Sequence, residues 1–256
     1  MIGRDIGDPK SVDLTKLRVV AMPDGFGWQL TMSTVDPEVR QAVVNVANYL
    51  GQQVVGKQNV VFAKAPAQIA LAGKSFGPMI FTGEPLPSET LGGEGLPPFN
   101  YKKEIIPFLF GRSKYTLNSI LLSLLVSSFS GRTRDDVLPF WDQLRDEFHE
   151  LLGDNGVLIF PPYPLTAQPH GMSYFNHPSG SYTSVFNALG FPATQVPVGL
   201  SKEGLPLGVQ VITRKHEDLK TIAVALQLER GFGGWVPPRR FGVPLTEKET
   251  EDLYTH

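Results

Sequence analysis

"SYTSVFNALGFPATQVPVGLSKEGLPLGVQVI" occupies residues 181–212, and its punctuation decides the fold. Apolar residues recur at helical spacing from Tyr182 to Leu189. The run then stops at Gly190-Phe191-Pro192. Gly190 suits the left-handed residue that closes a helix. Phe191, placed before a proline, is pushed into extended backbone, which starts a strand. Two apolar runs follow, divided by Lys202-Glu203-Gly204, where the glycine permits a tight reversal. The stretch predicts helix, strand, turn, strand. It is a core-building unit and carries no catalytic motif.

Working outward, "LRVVAM" at 17–22 reads as a buried strand. "DPEVRQAVVNVANYLG" at 36–51 predicts a helix with Asp36 at the N-cap, Pro37 at the first position and Gly51 at the stop. Val39, Val43, Val46 and Leu50 form its apolar face. Val60-Val61-Phe62 predicts a second strand, and this β-α-β order indicates an α/β layered domain. A helical stretch is expected around Ile69 and Leu71. Residues 83–99, rich in Gly, Pro and Glu, read as an exposed loop. Phe140, Leu144, Phe148 and Leu151 repeat at helical spacing up to Gly153. "VLIFP" then forms a strand, and a Pro-rich loop spans 161–180. A last helix begins near Glu217-Asp218, with Leu219, Ile222, Ala223 and Leu226 as its apolar face. The end of the chain, 242–256, is a polar tail. No internal repeat is visible.

Composition narrows the function. The chain has 256 residues, a formal charge of -2 and 41% hydrophobic content, the profile of a globular protein. Without a basic excess to neutralise phosphates, nucleic acid is not an expected partner. The lack of cysteine removes disulfides, thiolate metal sites and a cysteine nucleophile. No signal-peptide core stands at the N-terminus, and no apolar run reaches the ~18 residues of a membrane span.

Three motifs invite a functional reading. Gly73-Lys74-Ser75-Phe76-Gly77 matches the spacing of a nucleophile elbow, but a helical "AQIALA" precedes it where a strand is required. It reads as a helix C-terminus with two glycines. It is no phosphate-binding loop either, because Gln68 stands where the first glycine belongs. His170 and His177 flank Tyr174 and Asn176 with no further ligands at metal spacing, and they read as loop histidines. No metal or cofactor is expected. The segment 101–129 is different. Ile105, Ile106, Phe108, Leu109 and Phe110 are flanked by Lys102, Lys103, Arg112 and Lys114. Such a segment either lies in a membrane interface or forms a helical hairpin packed on the core, and the hairpin is the expectation.

The opening stretch resembles the C-terminal region of the amidase signature family. Phe186, Asn187, Gly190, Pro192, Ala193, Pro197, Gly199, Gly204, Leu205, Pro206, Gly208 and Gln210 match its helix, Gly-Φ-Pro-Ala break and Gly-Leu-Pro-Φ-Gly-Φ-Gln strand. "GDNGVLIFPPYPLTAQPH" resembles the strand and Pro-rich loop just upstream. With "ERGFGGWVPP", these segments are similar to the fatty-acid amide hydrolase branch, second vertebrate type. The resemblance runs over about 14–241, specific at 181–212 and weak before Asp135. It implies an incomplete α/β fold, 1–256 being the C-terminal portion of an amidase domain, with a mixed central sheet covered by helices.

The resemblance implies a family that hydrolyses amides with a Ser–cis-Ser–Lys triad, the oxyanion held by backbone N–H groups of a Gly-rich loop, and in this branch the amides are fatty-acid primary amides and N-acylethanolamines. Neither Gly92-Gly93 nor Gly233-Gly234 is followed by serines, so no triad residue can be assigned in this chain. The expectation is a chain inactive alone, with a lipid amide as substrate once the other half is present. Its first residues fit an internal start. A non-catalytic acyl- or partner-binding module and an amidotransferase A-subunit-like amidase are the alternatives. By resemblance, Gly180, Tyr182, Thr183 and Ser184 line the acyl channel, and Ile105, Ile106, Phe108 and Phe110 belong to a membrane-cap region. Each of these residues also has a plain packing reading. An intracellular, membrane-associated protein, in peripheral contact with the bilayer or self-associated as a homo-oligomer, is the corresponding expectation.

Overall fold

The computed structural model describes residues 6–26, 34–72, 75, 79, 100–127, 133–172 and 180–236. They gather into two compact units, Leu71–Leu144 and the remainder of the chain. The segment 83–99 expected to form an exposed loop, most of the Gly73–Gly77 motif, His177 and residues 242–256 lie outside the described residues.

The larger unit is built on a mixed sheet of β1 (Arg18–Ala21), β2 (Val60–Phe62), β3 (Gly156–Phe160), β4 (Ala193–Leu200) and β5 (Pro206–Ile212), in the order β2-β1-β3-β5-β4. β1 runs parallel to both β2 and β3, whereas β5 is antiparallel to β3 and β4. β3 lies in the middle and is buried at every residue, which explains the unbroken apolar run Val157–Phe160.

Alternation sorts the side chains to two faces. On one face Val19, Ala21, Val157, Ile159, Val196, Val209 and Val211 form a single core with Val43, Val46 and Leu50 of α1 (Pro37–Leu50) and with Val224 and Leu228 of the last helix (Asp218–Phe232). Val43 and Val46 are fully buried, each stabilising the fold by about 1.5–3 kcal/mol. On the opposite face Phe160 packs edge-on against Phe186 at 5.2 Å, and Phe186 against Phe148 at 5.8 Å.

Asp36 caps α1 as expected, accepting the Glu38 N–H at 2.8 Å. Gly51 does not end the turn. Its backbone stays right-handed and the chain continues as a wide turn over Gly51–Val55 until Gly56, whose φ is 83°. Gly51 is small for another reason: a Cβ there would lie 2.8 Å from Val60 Cγ2 of β2. Gly190 adopts the expected left-handed conformation, φ 72°, at the end of the helix Ser181–Leu189. The reversal at Lys202-Glu203-Gly204 closes with the Gly204 N–H donating to Ser201 O at 2.9 Å.

The last helix differs from its sequence reading. Thr221, Ala223, Val224 and Leu228 are its buried residues, while Leu219, Ile222 and Leu226 are only half-buried. Thr221 goes inside because its hydroxyl meets Thr194 Oγ1 of β4 at 2.8 Å.

In the smaller unit, α2 (Tyr101–Leu109) and α3 (Leu117–Ser127) contact one another as a hairpin. The expectation of a core-packed hairpin does not hold for α2, which has no buried residue. The helix that follows, α4 (Arg134–Leu152), buries Val137, Trp141 and Leu144 in this unit and Phe148 and Leu152 in the other. Phe140 and Leu151 of the expected face are half-buried. Trp141 instead takes the inner position, its Nε1–H donating to Ser75 O at 3.2 Å. Ser181–Leu189 and Asp218–Phe232 are α5 and α6. No helix among the described residues is long and apolar enough to cross a membrane.

Candidate functional site

The carboxyl ends of β1 and β3 lie side by side, and such edges are where α/β sheets place their ligands. Three segments of the larger unit meet there. The first follows β1, turning at Met22–Phe26. The second is the loop 161–172 after β3. The third is the start of α5.

A few specific contacts tie these segments together. Gln210 of β5 is buried, and its Nε2 donates to Pro161 O and to Tyr182 O, both at 3.2 Å. One amide therefore fastens the second strand of the hairpin to the loop and to the first turn of α5. Tyr182 is fully buried, its ring 4.7 Å from Phe26 and 5.3 Å from Phe160. Its hydroxyl accepts the Phe26 N–H at 3.4 Å. Burial pushes the Tyr182 phenol above its usual range, outweighing the opposing Phe26 N–H, and Asp24 adds to the rise. Gly25, at φ 56°, is required here because a Cβ would collide with the Tyr182 phenol. The start of α1 is anchored to the same loop, the Asp36 N–H donating to Pro164 O at 2.7 Å. Arg40 and Asp24 pair at 2.7 Å on the exposed rim.

Within the loop, Tyr163, Leu165, Thr166, Gln168 and His170 line an open concavity of about 760 Å³. It offers an amphipathic ligand both apolar walls and hydrogen-bonding groups. His170 stands exposed in this lining. Among the described residues no group of three or more His, Asp or Glu side chains could hold a metal ion.

The channel candidates divide by placement. Gly180 and Thr183 are exposed at the start of α5, Thr183 Oγ1 donating to Gly180 O at 3.1 Å. Ser184 is half-buried, and Tyr182 points into the aromatic core. The membrane-cap candidates lie in the other unit. There Ile105, Ile106 and Phe110 are exposed, the last two at 66% and 74%, with Leu109 beside them, while Phe108 is half-buried. The sequence reading missed the lining of the concavity and the roles of Gly25 and Phe26. Only the Pro/Gly content around them marked those segments as loops.

This architecture is that of amidase-type α/β enzymes. The structure of 6-aminohexanoate cyclic dimer hydrolase matches with a TM-score of 0.60 at 19% identity, over 91% of this chain and 48% of that one. A fatty acid amide hydrolase structure matches with a TM-score of 0.54, also at 19% identity, over 91% of this chain and 42% of its own. At that identity the likeness shows the fold alone. Sequence relatives carry it further. The chain is 39% identical over 237 residues to fatty-acid amide hydrolase 2-B of Danio rerio, covering 90% of this chain and 44% of the relative. It is 41% identical over 140 residues to fatty-acid amide hydrolase 2 of Homo sapiens, covering 54% of this chain and 26% of the relative. The A-subunit of glutamyl-tRNA(Gln) amidotransferase from Wolinella succinogenes is 31% identical over 93 residues, 35% of this chain and 21% of the relative. No protein-family model matches. The chain belongs to the amidase signature family and carries the C-terminal region of its fold. It spans less than half the length of the curated relatives it matches.

Proposed function

We propose that this chain is the substrate-side half of a fatty-acid amide hydrolase. The overall reaction adds water across an amide bond, releasing a fatty acid and an amine. In this reading the serines and lysine that perform the cleavage come from polypeptide outside these 256 residues, and the chain alone turns over nothing. The start of α5, with Gly180, Thr183 and Ser184, and the concavity at 163–171 hold the substrate, and buried Tyr182 fixes the position of that helix. The exposed apolar face of α2, flanked by Lys102, Lys103 and Arg112, lies against a lipid surface, from which such a substrate would be drawn.

One observation carries the reading: the match to a fatty-acid amide hydrolase extends over 90% of this chain but 44% of the relative. The amidotransferase match covers 35% of the chain, so the lipid-amide branch accounts for far more of it. The test is hydrolysis of oleamide by the purified chain, alone and co-expressed with the part of the zebrafish relative that it does not span. No turnover alone and saturable turnover together is the expected result. Saturable turnover by the chain alone, or none in a stable complex, refutes it.

A further inference from the structure

A second hollow in the larger unit lies between the end of α1 and β2. It measures about 290 Å³ and shares no lining residue with the concavity at 163–171. The backbone explains why it forms. α1 does not stop after Leu50 but widens into a π turn over Gly51–Val55. Such turns are rare and recur at functional sites. This one is fixed at its far end. Asn59 Nδ2 donates to Val55 O at 2.6 Å, and Gly56, at φ 83°, reverses the chain toward β2. Gly51 is where the turn comes closest to the sheet, and a methyl group there would displace Val60.

The lining has two chemical characters. Ala47 and Gly51 are buried and Val60 is half-buried, which gives an apolar floor. Alternation puts Val60 and Phe62 on the same face of β2, and Val60 packs on the core beneath α1. Phe62, at the end of the strand, is nevertheless 51% exposed, so its ring stands half in water beside that floor. At the mouth, Asn48, Gln52 and Lys57 are exposed. Among the described residues none of these three side chains has a hydrogen-bond or ion-pair partner. All three carry N–H donors, and no Asp or Glu lines the hollow. A cation with two amides and no carboxylate selects an anion. The apolar floor and ring select a ligand whose other end is apolar.

We propose that this hollow binds a small amphipathic carboxylate. The carboxylate accepts from Lys57 Nζ and from the Asn48 and Gln52 amides, and the apolar body lies between Phe62 and the floor of Ala47 and Val60. The volume stands at the lower limit of ligand pockets, roughly 300–1,000 Å³, which suits a short alkyl or aryl acid and not a long acyl chain. The site goes beyond the proposed function and does not depend on it.

The experiment titrates the 256-residue chain with octanoate, octanamide and benzoate and follows backbone amides and Ala and Val methyl groups by NMR. Octanoate shifts Ala47, Gly51, Val60 and Phe62 saturably. Octanamide has the same apolar body without the charge and binds about fivefold or more weakly. Lys57→Met weakens octanoate by about the same factor and leaves octanamide unaffected. Phe62→Ser weakens both about tenfold, because the ring no longer covers the apolar body. Both side chains are exposed, so circular dichroism is retained in both variants. Tighter binding of octanoate than of benzoate identifies an alkyl acid as the occupant, and the reverse identifies an aryl acid. Equal affinity for octanoate and octanamide overturns the proposal, as does the absence of saturation by either acid. Shifts that fall on 163–171 and survive Lys57→Met unchanged overturn it too, because the acid then occupies the other concavity. Failure of oleamide hydrolysis in the co-expressed complex sinks the proposed function and leaves this site standing.

Discussion

Gln210→Leu tests how the candidate site is held together. Leucine fills the space of the glutamine but removes the Nε2 donor from Pro161 O and Tyr182 O, each bonded at 3.2 Å. Pro161 is buried, so its carbonyl loses its partner without gaining water. An orphaned buried carbonyl costs about 1–3 kcal/mol. The Tyr182 carbonyl lies in the first turn of α5 and can still accept a helical N–H, so its loss is closer to ~1 kcal/mol. The sum is about 2–4 kcal/mol, read as a lower urea midpoint at unchanged slope. Amide exchange in the first turn of α5 should accelerate in step, about tenfold for each 1.4 kcal/mol. Gln210→Glu adds a signature of chemistry over shape. The carboxylate cannot donate at neutral pH, whereas the protonated acid can, so part of the stability returns on acidification. A loss under about 0.5 kcal/mol for Gln210→Leu, with α5 still protected, would show that the tether does not position the helix.

Gly25→Ala should cost about 2 kcal/mol or more, since φ 56° is unfavourable for a side chain and the new methyl meets the Tyr182 phenol; thermal unfolding reads this out. Tyr182 and His149 bracket the pH profile. The Tyr182 pKa is raised above 10.0, so its contribution is complete below the unfolded value and is lost as pH climbs through the folded one; Tyr182→Phe flattens that alkaline limb in urea titrations. His149, stacked on Phe191 at 5.7 Å, is held below 6.5 first by burial and then by Arg214, so its contribution is complete above 6.5 and fades as pH falls through the folded value; His149→Phe flattens the acid limb. Ile106→Ser with Phe110→Ser should change stability by less than ~0.5 kcal/mol while reducing sedimentation with anionic lipid vesicles; Trp141→Ala should cost about 3–5 kcal/mol.

Elements with strong local punctuation were legible in the sequence. Asp36-Pro37 opened α1, Gly190-Phe191-Pro192 ended α5, and Gly204 turned the hairpin, because each fixes φ or a cap within a few residues. Gly51 misled, since the same residue serves a left-handed stop and a close approach, and only the fold reveals Val60 beside it. The inner faces of α4 and α6 were set by long-range partners, Ser75 O for Trp141 and Thr194 for Thr221, which periodicity does not encode. Gln210 was visible as part of a pattern, but its task is defined by two carbonyls 49 and 28 residues away. Exposure of α2 was equally hidden, because an apolar helix reads the same whether it covers a core or a lipid surface.

A serine-reactive fluorophosphonate, followed by peptide mapping, locates the nucleophile directly. In the complex with the uncovered part of the zebrafish relative, the expected label falls on a serine of that part, and the chain alone remains unlabelled. Stoichiometric label on any serine of these 256 residues would place the chemistry inside this chain and contradict the proposal that it is the substrate-side half.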